Sequence, residues 1–436
     1  MKRIFSAFAY GDAPRDTCWW TETAIAPEWP RLEEQRKVDV AIIGGGFTGL
    51  SAALHLAEAG ARVAVLEART PGWGASGRNG GFCCIGGARL THDQLVRAYG
   101  EASAEEFWQA QLDSVALVAA LIDRFGIKAD THSKGETQLA HRPRDMDALR
   151  REAEALGPDM AQLIEPGDLA AHGMGGPFHG GLTIPVGFAL NPLKYHFGLA
   201  AAARSVGAQL FQQSEVTGVD SLSGGYRVRT SRGQLQADQV IVATNGYSSE
   251  DVPEWLAGRY MPAQSNVLVT RPMTGKELQA QGWTSAQMAY DTRGLLHYFR
   301  LMPDRRFLFG MRGGLQSSPA AEARARARTR AHFETMFPAW AHVESPYLWS
   351  GMVCLSRRQV PFAGPIPKRP GLFAGLAYHG NGVAMGTYTG KLLAGLVQGT
   401  TLPPRVMQGP LDRFPLGAAR RILMPPFYLA TAIGDR

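Results

Sequence analysis

Cysteine is scarce in this chain: four in 436 residues, Cys18, Cys83, Cys84 and Cys354, with no C-x-x-C and no Cys/His spacing suited to zinc. A disulfide scaffold and a zinc-ribbon fold are thereby excluded, and adjacent Cys83 and Cys84 read as small buried residues in a protein of the reducing cytoplasm. Long apolar runs are missing as well. Met1-Lys2-Arg3 leads into an apolar stretch too short for a secretion signal and soon broken by Asp12 and Arg15. The tail from Ile422 to Ile433 is too short to span a bilayer and contains Pro425 and Pro426, so it reads as a docking segment, with no integral membrane segment expected. Neither sign of charge dominates: 45 Lys+Arg stand against 38 Asp+Glu, a net +7 that favours acidic partners only weakly. The basic cluster Arg324, Arg326, Arg328 and Arg330 has two-residue spacing in a predicted helix, which spreads the charges over two sides. No base-stacking motif accompanies it, so no nucleic acid is expected. His92, His132, His141, His179 and His196 show no ligand spacing, and no metal site is expected. What remains is a soluble globular composition, 45% hydrophobic, in a chain long enough for two cores.

Against these absences stands one dense motif. Val38-Asp39-Val40-Ala41-Ile42-Ile43 has the length and β-branching of a buried parallel strand, and Gly44-Gly45-Gly46-Phe47-Thr48-Gly49 follows without a spacer. Gly44 permits the tight turn, Gly46 lets a pyrophosphate approach the backbone, and Gly49 lets the next helix pack on the strand. That helix, expected over 48–58 and stopped by Gly60, presents free N–H groups and a positive dipole end to phosphates. A second strand, Val63-Ala64-Val65-Leu66, then delivers Glu67, whose carboxylate can accept hydrogen bonds from an adenosine ribose and disfavours a 2′-phosphate. Strand, glycines, helix and acid together spell a dinucleotide-binding unit.

The loop Gly72 to Gly81 is glycine-rich yet carries the anchoring residues Trp73, Arg78 and Asn79, as a loop closing over a cofactor would. Residues 91–156 show helical spacing. A helix is predicted over 191–206, then strands 209–211 and 215–219, a hairpin of 226–230 with 234–236, and a buried strand 239–246 ending in a small-residue turn. Residues 265–270, 296–301 and 306–310 alternate as antiparallel strands of a second sheet. A final strand 371–377, the turn Tyr378-His379-Gly380-Asn381-Gly382-Val383 and a helix over 385–397 aim a second helix dipole at the turn.

Taken in order, Asp39-Val40 through Leu66-Glu67, Gly74-Ala75-Ser76-Gly77-Arg78-Asn79-Gly80-Gly81, Tyr298-Phe299-Arg300-Leu301, Trp349-Ser350-Gly351, Pro361 to Gly364 and the last glycine turn resemble the D-amino acid oxidase / glycine-sarcosine oxidase superfamily of FAD flavoproteins, nearest its gamma-glutamylputrescine oxidase group. The resemblance implies an α/β fold: a Rossmann-like FAD-binding domain (37–95, 191–255 and 349–436 with its docking tail) and an inserted α+β substrate domain (96–190 and 256–348) with a mostly antiparallel sheet. It implies that Gly44, Gly46, Phe47, Thr48, Gly49, Glu67 and Ala68 hold the ADP half of FAD. Ser76, Arg78, Asn79, Gly80 and Gly81 would line the path to the isoalloxazine, and Val216, Ala243, Thr244 and Asn245 would flank adenine and pyrophosphate. Gly351 and Gly364 would close in from the C-terminal part, with Gly380, Asn381, Gly382 and Val383 at the flavin pyrimidine edge.

The implied chemistry is oxidation of a carbon–nitrogen bond. An amine or amino acid gives hydride to flavin N5, the imine hydrolyses, and oxygen or another acceptor takes the electrons. Tyr298, Arg300, Arg312 and Asn381 are the candidate catalytic and substrate-side residues. Either arginine could bind a substrate carboxylate as a planar fork, whereas Arg271 reads as surface charge. His297 and Tyr298 point to opposite faces of a strand, and Tyr298 is expected in the pocket. Two departures from the family stand out: Gly380-Asn381-Gly382 where relatives have Gly-His-Gly, and no lysine around Leu308, where sarcosine oxidases place one for oxygen activation. An amine or D-amino acid dehydrogenase using a non-oxygen acceptor, and a flavin-binding protein without turnover, therefore stay open. Cys354 reads as core.

Overall fold

Val40 and Ile42 of the first strand, Gln35–Ile43, face one buried core while Ala41 and Ile43 face another, so the strand is covered on both sides. In the computed structural model, which describes residues 1–435, this strand lies near the middle of an eight-stranded sheet. The order is Phe362–Pro365, Leu372–Leu376, Gln234–Val242, Gln35–Ile43, Val63–Leu66 and Gln209–Phe211, parallel except for the first pair. Helix Phe47–Glu58 packs on one face with Pro192–Ser205, Ala384–Gln398 and the long helix Glu101–Arg124, whose Val115, Val118 and Leu121 join the same core. The predicted hairpin strand 234–236 and buried strand 239–246 are one continuous strand. It takes Gly225–Arg229 antiparallel on one edge and the first strand parallel on the other.

The second sheet also has eight strands: Tyr347–Leu355, Met261–Val269, Phe307–Arg312, His297–Leu301, Met288–Asp291, Glu136–Leu139, Gly181–Ile184 and Gln162–Ile164, in that spatial order. All pairs are antiparallel except Met288–Asp291 with Glu136–Leu139. One face carries Phe299, Phe307 and Phe309 onto Phe333, Phe337 and Trp340, an aromatic core beneath helix Pro319–Met336. The opposite face is left for the cavity between the sheets.

Three expectations need correction. The stretch 91–156 is not helical throughout: a Thr91–Gln94 capping box opens helix His92–Tyr99, and Glu101–Arg124 follows, but Glu136–Leu139 is a strand before helix Met146–Leu156. Because Glu101–Arg124 packs in the first core, the segment 96–190 does not belong wholly to the second sheet. The expected boundary at 348/349 cuts through strand Tyr347–Leu355, which lies in the second sheet to its end. Among the described residues no helix is long and apolar enough to cross a membrane.

Candidate active site

The C-terminal ends of two neighbouring parallel strands, at Ile43 and Val242, open onto one cavity of about 510 Å³. Gly44 turns the chain at φ +107°, and a Cβ there would lie 2.8 Å from the carbonyl oxygen of Ala243. At Gly49 a Cβ would come within 1.9 Å of the Gly44 oxygen, so that glycine closes helix onto turn and does not face the cavity. Gly46 caps helix Phe47–Glu58 with no side-chain acceptor, and its missing Cβ leaves room for Ser76, whose Oγ takes the Phe47 N–H at 3.1 Å. Glu67 is held by the backbone: Gly45 N–H donates to Oε2 at 3.0 Å and Arg69 N–H to Oε1 at 2.9 Å. Burial raises its pKa against those stabilising donors, and each oxygen keeps a lone pair for a further donor.

The loop expected to close over a cofactor forms the next wall. Asn79 folds it, donating from Nδ2 to the Ala75 and Ser76 carbonyls and accepting the Gly81 N–H at 2.8 Å. Arg78 lies 2% exposed with its guanidinium 4.2 Å over the Trp73 ring; Nε donates to Trp73 O and Nη1 to Ser350 O. The third wall is the turn after Leu372–Leu376. Asn381 donates from Nδ2 to the Cys84 and Ile85 carbonyls, and Gly380 stands at φ +118°. Thr48 and Tyr378 share a hydroxyl hydrogen bond of 2.8 Å that ties the two glycine turns together. His379 does not replace the histidine of the Gly-His-Gly pattern. Its Nδ1–H donates to Gly87 O, its Nε2 accepts the Ser356 N–H, and burial with Arg89 and Arg312 nearby drops its pKa to about 3, leaving a neutral clip.

The fourth wall is the exposed face of the second sheet. Tyr298 lies against Gly310, where a Cβ would sit 2.0 Å from its Cζ, and shares a hydrogen bond of 3.0 Å with Ser265 Oγ. Burial raises its pKa and keeps the hydroxyl neutral. Arg312 is half-buried, donates from Nη2 to the His379 carbonyl at 3.2 Å, and has no ion-pair partner among the described residues.

Of the residues singled out in the sequence, the cavity wall contains Gly44, Gly46, Phe47, Thr48, Glu67 and Ala68, then Ser76, Arg78, Asn79 and Gly80. Val216, Ala243, Thr244, Asn245, Gly351 and the run Gly380 to Val383 join them, as do Tyr298 and Arg312. Four residues do not line it. Gly49 is spent on packing, Gly81 abuts the Leu190 carbonyl, and Gly364 lies inside strand Phe362–Pro365. Arg300 is the substantive correction. Fully buried, it donates to Gly80 O at 3.1 Å and Leu190 O at 2.8 Å and meets neutral His132 at 2.9 Å, so every nitrogen is engaged and no fork faces a substrate. Tyr298, two residues before it on the same face of the strand, reaches the cavity, whereas the Gly80 and Leu190 carbonyls and the Trp20 and Phe82 rings cover Arg300. Arg271 pairs with Glu277, and Cys354 is core, with burial pushing its thiol up to about 12.

Several lining residues carried no sequence signal. Ser265 sits at the register opposite Arg312, and Tyr290 pairs with Tyr298. Glu136, 6% exposed, lies on the short strand hidden in the helical-looking stretch. His196 is a buried clip on the Gly45 carbonyl at 2.6 Å and stays neutral.

The crevice suits a long polar ligand. Arg78 Nη2, Tyr247 OH and Asn381 Oδ1 are buried, lack hydrogen-bond partners among the described residues, and lie on the cavity wall, beside a glycine cradle that any Cβ would fill. Donors at the helix N-terminus, a carboxylate with free lone pairs at Glu67 and a polar turn at 380–382 fit the polar groups of FAD.

Comparison with known proteins agrees. The family model described as DAO, FAD dependent oxidoreductase, matches residues 39–396. The chain is 31% identical over 379 residues to "Probable oxidoreductase OrdL" of Haemophilus influenzae, covering 85% of each chain. It is 30% identical over 374 residues to gamma-glutamylputrescine oxidoreductase of Escherichia coli, covering 84% of this chain and 85% of that one. Glycine oxidase from Geobacillus kaustophilus has a similar fold, with a TM-score of 0.69 at 24% identity over 84% of this chain and 96% of that structure.

Proposed function

This chain belongs to the family of FAD-dependent oxidoreductases, and on that premise we propose that it oxidises a carbon–nitrogen bond in an amine that also carries a carboxylate, with oxygen as electron acceptor. The name of the Escherichia coli relative makes a gamma-glutamyl amine the leading substrate class. The observation that carries the reading is Arg312: a guanidinium on the cavity face, beside the Gly380 turn, with one hydrogen bond to a carbonyl and no ion-pair partner among the described residues. Planar donors in that state suit a carboxylate.

Gly44, Gly46, Phe47, Thr48, Glu67 and Ala68 would hold the ADP end of FAD, with Ser76, Arg78, Asn79 and Gly80 along its length and Gly380 to Val383 at the ring. Once bound, FAD supplies a hydride acceptor. The protein's share is positioning and the exclusion of water. Arg312 would anchor the carboxylate and Tyr298, neutral and steadied by Ser265, would donate to or pack on the substrate chain. Asn381, pinned by the Cys84 and Ile85 carbonyls, would keep the turn's backbone N–H groups and the dipole of helix Ala384–Gln398 aimed at developing negative charge. Arg300 acts behind this surface, fixing the Gly80 carbonyl. Four buried free cysteines support a reducing compartment, the cytoplasm.

A dehydrogenase is the second reading, favoured by strand Phe307–Arg312, which contains no lysine. Purified protein mixed anaerobically with gamma-glutamyl-1,4-diaminobutane should lose its flavin absorbance, and air should restore it with stoichiometric peroxide. Bleaching that persists in air until a quinone is added selects the dehydrogenase, and no bleaching across a panel of amines and amino acids rejects turnover of this class.

A further inference from the structure

Five neighbouring strands of the second sheet place a row of polar side chains on the cavity face. Arg312 pairs in register with Ser265, and Gly310, two residues before it on the same face, lies opposite Tyr298; Tyr298 lies opposite Tyr290, and Tyr290 opposite Gln138. Glu136 is two residues from Gln138 and so shares its face. Arg312 and Glu136 therefore end a diagonal, three strands apart and offset by four residues along them, roughly 20 Å between backbones. One end is cationic and unpaired, the other a carboxyl, with the rings of two tyrosines between.

The carboxyl is as open to a partner as Arg312. Glu136 makes no ion pair among the described residues, and its hydrogen-bonding neighbour is the Cys84 thiol, which burial holds protonated. No hydrogen bond among the described residues uses the Tyr290 hydroxyl, which lines the cavity beside it. A buried carboxyl facing only a thiol, a phenol and the more distant like charge of Glu152 is held at about 7, and an arriving cation would complete its ionisation.

We propose that Glu136 recognises a second, non-reacting positive charge on the substrate, so that the cavity selects extended amines with a cation at the end remote from Arg312. The charge it meets is not the reacting amine, because that nitrogen must be neutral for the carbon bonded to it to release hydride, and a carboxylate beside it would hold the proton on. The length of the diagonal favours a chain over a compact amino acid, and the Tyr290 and Tyr298 faces suit its methylenes and cation. The inference deepens the amine-oxidising reading and rests on it for the word substrate.

The test compares 1,6-diaminohexane with 1-aminohexane, which differ by one terminal ammonium, using the holoenzyme under anaerobic conditions. Flavin bleaching should half-saturate at a concentration at least tenfold lower for the diamine in the wild type. Glu136→Gln should abolish that preference while retaining the oxidised flavin spectrum, and Glu136→Asp should keep part of it. A wild type without preference, or a Glu136→Gln protein that keeps it, overturns the proposal. If neither amine bleaches the flavin, the same contrast is read from perturbation of the flavin bands on binding, and the catalytic reading stands or falls separately on gamma-glutamyl-1,4-diaminobutane and the wider panel. Diamine-specific perturbation lost in Glu136→Gln upholds Glu136 as the cation reader, and no diamine-specific perturbation overturns it.

Discussion

The two walls of the cavity face it with different chemistry. On the first sheet, backbone does the work: Gly44, Gly46 and Gly380 leave room, and N–H groups at helix starts point inward. On the second sheet the strands that carry Ser265, Tyr298, Tyr290 and Glu136 each have a paired strand on both sides, and side chains selected by strand register reach the cavity. A backbone site tolerates no added atoms. A side-chain site can be rewritten residue by residue without unfolding the sheet.

The harshest break of that contrast is Gly49→Val on the first wall. Even the first added carbon would meet the Gly44 oxygen at 1.9 Å, and backbone cannot swing aside as a side chain can. Helix Phe47–Glu58 would have to lift from the turn, at a cost of about 3 kcal/mol or more. The purified variant should carry no flavin absorbance and melt well below the wild type; normal flavin content would show that helix and turn need not touch.

Arg300 and Arg312, on adjacent strands, sharpen the contrast within one wall. Arg300→Leu strands the buried Gly80 and Leu190 carbonyls, each worth about 1–3 kcal/mol, and should lower the melting temperature. Arg312→Leu gives up one hydrogen bond to His379 O and should change stability by about 1 kcal/mol or less. Its cost falls on binding, with KM for a carboxylate-bearing amine rising about 30-fold or more, as loss of a charge-assisted fork implies, while an amine without a carboxylate is little affected. Equal thermal losses in the two variants, or a KM effect confined to Arg300→Leu, would reverse the roles.

That pair also shows what the sequence could and could not reveal. The glycine crevice is legible because turn, close approach and helix start each demand a residue type at a fixed offset, and Gly44 to Glu67 carry all of them in sequence order. Arg300 and Arg312 are indistinguishable in sequence. Tyr298 and Arg300 share one face of their strand, and what buries one while the other lines the cavity is the packing of the Gly80 and Leu190 carbonyls and of His132, all distant in sequence, onto Arg300. Glu136 was hidden for a further reason: a strand of four residues between helices has too few positions to show a period of two, so the helical spacing around it dominates. Register across strands from distant parts of the chain, such as Glu136–Leu139 beside Met288–Asp291, leaves no trace in local pattern.

The smallest effects belong to the C-terminal helix Met424–Gly434, read from sequence as a docking segment. It is held at its far end by polar contacts: the Asp435 carboxylate accepts the N–H groups of Gly294 and Leu295 at 2.7 and 3.1 Å, and Leu296, next in that loop, lines the cavity. Leu429 on the same helix is 63% exposed. Asp435→Ala should therefore cost about 1–2 kcal/mol and loosen the loop beside Tyr298, raising KM modestly, whereas Leu429→Ser should stay within about 0.5 kcal/mol and leave kinetics alone. Thermal melts and steady-state rates on both variants separate the cases: if Leu429→Ser is the more damaging, the helix is held by apolar contact rather than by its terminal carboxylate, and the second wall depends on a surface that the strand register alone does not describe.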